Sequence, residues 1–144
     1  MASSRHDQLA LAAEQLDIAI GLFLNEQSYV SALTLAGAAE EILGRALKQV
    51  GGETAMQQAY EVSATTHRHL HRKELKWQDF ADGENYARNA AKHLLQDRAV
   101  EADLRRAALW MIARACTNHD RLDRERTERM QEFDHWFYEH EVGL

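Results

Sequence analysis

Not one of the 144 residues is proline. Proline is the strongest helix breaker, because its ring fixes φ and removes a backbone donor that a helix interior needs. A chain without it can run helix after helix, with glycine and polar caps as its only stops. Ala, Leu, Glu, Gln and Arg abound while Val, Ile and Thr are sparse, which favours helix over strand residue by residue. The length suits one domain able to bury its own core. The expected fold is all-α, an up-and-down bundle of four to five helices. A single domain is expected over residues 1–144, with its core over about 6–122 and an aromatic C-terminal helix over about 125–140.

Apolar residues recurring every three or four positions set the expected helices. Leu9, Ala12, Leu16, Ile20 and Phe23 form the stripe of a first helix over residues 6–23. A second runs to Val50, with Val30, Leu33, Ala36, Ala39, Leu43, Ala46 and Val50 on one side. Small residues crowd its middle, including Gly37 and Gly44, so a neighbour can approach closely and this helix is expected at the centre. Gly51 and Gly52 end it. A third helix over residues 54–71 turns Met56, Tyr60 and Leu70 inward. Residues 77–84 lose the periodicity and reach Asp82-Gly83, which reads as a loop. A fourth helix is expected over residues 84–96 and, after a break at 97–100, a fifth to Leu122. The stripe of the fifth is Val100, Leu104, Ala107, Met111 and Ala115.

The net charge is −6, which argues against a general nucleic-acid binder, but it is unevenly spread. Residues 1–66 carry three basic and eight acidic side chains, whereas residues 86–129 carry ten basic and seven acidic. No apolar stretch reaches membrane-spanning length. The first seven residues lack the basic-then-apolar order of a secretory signal. The lone Cys116 has no disulfide partner in the chain and reads as a small core residue. The cytoplasm is the expected compartment, with no membrane association.

The fourth expected helix carries the chemistry. On a wheel of roughly 100° per residue, Ala87, Ala90, Ala91 and Leu94 fall on one side and Asn85, Arg88, Asn89, Lys92 and His93 on the other. That second face offers a guanidinium, amides, an ammonium and an imidazole, groups that suit a phosphate ester and proton transfer near neutral pH. An ordinary solvated face has the same composition.

The run Arg88-Asn89-Ala90-Ala91-Lys92-His93 resembles the signature of the HEPN domains: an arginine, a polar residue after it, and a histidine closing a short spacer. The small-residue second helix with Ala39-Glu40-Glu41 is similar to members of that superfamily as well. The resemblance implies a compact dimeric helical bundle and a metal-independent endoribonuclease of toxin–antitoxin, phage-defence or RNA-processing type. It needs no cofactor. Its partners would be RNA, a second copy of the chain, and an antitoxin or nucleotidyltransferase-like protein. Arg88 would stabilise charge on the phosphate, His93 would move a proton at the 2′-hydroxyl or the leaving 5′-oxygen, and Asn89 would orient them. Asn85 and Lys92 would bind substrate. Arg88 and His93 lie about 140° apart around a regular helix, which a composite site across a dimer would resolve. Members of the superfamily also serve as non-catalytic binding or adaptor modules, and that reading stands beside the first.

Two further patterns hold donor groups. His67, His69 and His71 cluster on one helix, and the spacing of His67 and His71 can hold zinc or nickel, although a surface cluster has the same spacing. Glu132 and His135 match the Glu-x-x-His of di-iron bundles, but no second copy of the pattern exists, so no metal site is assigned. The aromatic run at residues 133–138 is expected to pack on its own bundle or within the dimer.

Overall fold

The computed structural model describes residues 2–143, and the described residues contain helices and no strand. The helices are α1 (Gln8–Leu24), α2 (Tyr29–Gln49), α3 (Ala55–His71), α4 (Trp77–Glu84), α5 (Tyr86–Lys92), α6 (Leu104–Asp120) and α7 (Glu128–Phe137). A π-helical turn, Tyr138–Val142, follows α7. The all-α expectation therefore holds, with more and shorter elements than the periodicity gives.

Five of the helices begin on a side chain that accepts a backbone N–H otherwise left without a partner: Asp7, Ser28, Thr54, Asp103 and Thr127. Helices α4 and α5 have no such cap. The core is built on α2, which packs against both α1 and α6. Leu16, Ile20, Leu33, Leu43, Leu109 and Ile112 are among its fully enclosed side chains. Close approach depends on missing side chains. A Cβ on Gly44 would stand 3.2 Å from Asn118 Nδ2, and one on Gly37 only 2.5 Å from Arg88 Cδ. At the end of α2, Gly51 takes φ +77°, a left-handed turn that glycine adopts without strain.

Helix α7 closes one side of the core. Phe133 and Met130 are buried, and Phe23 meets Trp136 edge-on with ring centroids 5.1 Å apart. Arg105 lies over the rings of both Phe23 and Trp136. The aromatic run thus packs on its own bundle.

Several boundaries and faces differ from the sequence reading. Residues 77–84 form α4 rather than a loop: Trp77, Phe80 and Ala81 give it an apolar side, and the glycine sits one residue from its end. Helix α5 stops at Lys92 instead of residue 96. Helix α6 starts at Leu104, so Val100 lies outside it and exposed. In α3 only Met56 is buried, while Leu70 is 73% exposed. Val30 and Val50 are exposed ends of the α2 stripe, where the neighbouring helices no longer cover it.

Candidate functional site

The two faces assigned to the motif helix are partly exchanged. Leu94 is 82% exposed and Ala91 is exposed, whereas Arg88 and Asn85 turn toward the interior. The cause lies across the chain in α2. Glu40 stands on the buried side of that helix, and a carboxylate taken out of water needs cations beside it. Gly37, one turn earlier, leaves the slot that the aliphatic stem of Arg88 fills. Alanines have little surface to gain by burial, so the ion pair decides how α5 rolls.

Two guanidiniums converge on Glu40. Arg114 Nη2, from α6, lies 2.9 Å from Oε1, and Arg88 Nη1 lies 3.5 Å from Oε2. The three side chains are only 14% (Arg88), 13% (Arg114) and 9% (Glu40) exposed. Arg114 Nη2 also donates to Asn85 Oδ1 at 3.1 Å and to Met56 Sδ at 3.1 Å. Arg88 Nη2 donates to Asn89 Oδ1 at 3.5 Å. The Nε–H groups of Arg88 and Arg114 are buried without a hydrogen-bond partner. An unspent buried donor costs about 1–3 kcal/mol, and both Nε–H groups lie out of reach of solvent.

Asn85, Arg88 and Asn89 are thereby brought together. Lys92 and His93 are not. His93 caps α5 in an extended conformation (φ −127°, ψ 133°), its backbone N–H donating to Asn89 O at 2.9 Å, and its side chain is exposed. Lys92 lines a separate open cleft of about 1030 Å³ with Arg5, His6, Ile42 and Arg45. Arg88 is a wall shared by two smaller cavities. One, of about 370 Å³, lies between α2 and α4, and the other, of about 340 Å³, between α5 and the start of α6.

No protein-family model, curated protein or solved structure matches this chain.

Glu40 and Arg114 belong to the cluster but do not stand out in the helical wheel of the motif. Their signal is a charge inside each apolar stripe: Glu40 between Ala36 and Leu43, Arg114 between Met111 and Ala115. The other candidate groups stay apart. The rings of His67 and His71 lie 4.8 Å apart on α3, and His135 pairs with Glu139 rather than Glu132. Among the described residues no three His, Cys, Asp or Glu side chains are placed to hold a metal ion. Burial pushes the Cys116 thiol up to about 12, so it stays protonated and packs as an apolar group.

Proposed function

We propose that this chain is a HEPN-like helical module that cuts RNA without a metal, as a homodimer that completes the site. The observation that carries this reading is the charge imbalance at Glu40: two guanidiniums share one carboxylate. One cation in excess suits a phosphodiester, which a planar guanidinium can bind through paired N–H groups. In this reading Arg88 stabilises charge developing on the phosphate, with Arg114 holding Glu40 as Arg88 turns to the substrate. Asn85 and Asn89 hydrogen-bond and orient the guanidiniums. His93 moves the proton at the 2′-hydroxyl or the leaving 5′-oxygen, and Lys92 holds a flanking phosphate. His93 is exposed and off the helix that carries Arg88, which suits delivery to a phosphate held by a second copy. An antitoxin or nucleotidyltransferase-like partner would act on the same dimer.

A non-catalytic dimeric binding module is the second reading. One observation favours it: the Arg88 guanidinium is paired with Glu40 inside the fold, while His93 of the same chain is exposed.

Cleavage of a mixed RNA substrate in excess EDTA, by the wild-type protein and by His93→Ala, separates the two. The nuclease reading expects cleavage that survives chelation and falls by about 10²–10⁴ in the variant. Equal cleavage by both proteins removes His93 from the mechanism. No cleavage of a broad RNA panel by a protein that sediments as a dimer would leave the binding module.

A further inference from the structure

The cavity between α2 and α4 carries more than the Arg88 wall. Arg45 and Lys48 of α2 stand along one side and Trp77 of α4 along the other, with Asn85 and Arg88 also lining it. At about 370 Å³ it is of a size to take a small ligand such as one nucleotide. Three cations line it against two carboxylates, Glu40 and Glu41. Glu40 is already shared by two guanidiniums, and Glu41 is paired with Arg45 at 3.0 Å.

Trp77 is the unusual member. It is 36% exposed although it belongs to an aromatic cluster with Tyr60 and Phe80. Tyr60 meets it at 82° and Phe80 at 43°, and among the described residues no aromatic ring lies flat on the indole. Tyr60 is itself fixed, its hydroxyl donating to Leu75 O at 2.7 Å across the α3–α4 connection. The indole is thus braced, exposed and unstacked, facing a cavity lined by cations. A braced aromatic plane beside a basic wall is how proteins hold single-stranded nucleic acid, because every base has a flat face and every link a phosphate.

We infer that the cavity between α2 and α4 is a nucleotide subsite for single-stranded RNA, in which Trp77 stacks on a base and Arg45 and Lys48 hold the adjoining phosphate. This rests on the reading of RNA as substrate and adds to it the place where the chain next to the cut is held. The helix that carries Trp77 owes its position to Phe80, buried beneath it, and not to a capping residue.

The test is binding of a short fluorescein-labelled 2′-O-methyl RNA, read by anisotropy. Its blocked 2′-oxygen cannot attack the phosphate, so binding is read apart from cleavage. Wild-type protein is expected to bind it, and Trp77→Leu, which keeps an apolar side chain on α4, to bind about tenfold more weakly. Trp77→Tyr should restore most of the loss. An abasic version of the same strand should bind weakly and equally to the wild type and Trp77→Leu. Lys48→Gln, on an exposed part of α2 outside the core, should weaken the intact and the abasic strand alike, and it serves if Trp77→Leu melts early by circular dichroism. Equal binding of the intact strand by wild type and a folded Trp77→Leu would overturn the subsite, as would no binding by wild type at millimolar protein. Cleavage that ignores His93→Ala would count against the nuclease reading alone and leave the Trp77 result standing.

Discussion

His119 is enclosed at the end of α6 beside the fully buried Asn118, and its Nδ1 has no hydrogen-bond partner. Burial holds its pKa below the ordinary imidazole value; Asp120 raises it, but Arg124 and Arg126 oppose that pull. The folded protein therefore prefers His119 neutral, while the unfolded chain takes up its proton near pH 6.5. The stability this gives is fully present above that pH. It is lost as pH falls from there through the lower folded value, by up to about 1.4 kcal/mol per pH unit. Urea denaturation at pH 7.5 and pH 5.5 is expected to show a lower midpoint at the acid pH, and His119→Gln should shrink the difference. An undiminished difference in the variant would assign the pH effect elsewhere. The neighbouring Asn118 acts on backbone instead. Its Oδ1 accepts the N–H of Ala55 at 2.8 Å and pins the start of α3 to α6.

Elements differ in how firmly they are held. Helix α3 meets the bundle through its first turn, where Met56 and the cap Thr54 are buried, and most of its remaining length is exposed. Few buried contacts mean local opening at low free energy. Amide hydrogen exchange is expected to be faster by orders of magnitude over the second half of α3 than in the middle of α2. Equal protection of the two would contradict so exposed a placement. The same contrast explains what the sequence made legible. Helices α1, α2 and α6 bury continuous stripes that periodicity reveals, although α6 starts after its Asp103 cap and not at Val100. Helices α4 and α5 are short and uncapped, and Gly83 reads as a stop although it sits just inside the end of α4. For the candidate site, Arg88, Asn89 and Asn85 were legible as a group, but their direction was not. A wheel weighs hydrophobicity along one helix, whereas the roll of α5 is set by Glu40 and Gly37 far away in the chain. Leu70 departs for the opposite reason: its spacing is right, but no neighbour covers that end of α3.

At the scale of the whole molecule, a net charge of −6 opposes an RNA ligand, and the proposed subsite between α2 and α4 sets local cations against it. Binding should therefore be local and set by the few cations that meet phosphate. With Arg45 and Lys48 on one phosphate and Arg88 on the next, the slope of log affinity against log salt is expected near about −1.4 for a single strand. A slope near zero would mean that contacts other than phosphate hold the strand. The pairing of Gly37 with Arg88 reaches further than stability. Because the arginine stem occupies the volume that a Cβ at position 37 would need, the two positions share a single allotment of space across fifty-one residues of chain. In any lineage descended from this protein, a larger residue at 37 should appear only beside a smaller or redirected one at 88. The history of the cluster would then be written as correlated change at two positions distant in sequence.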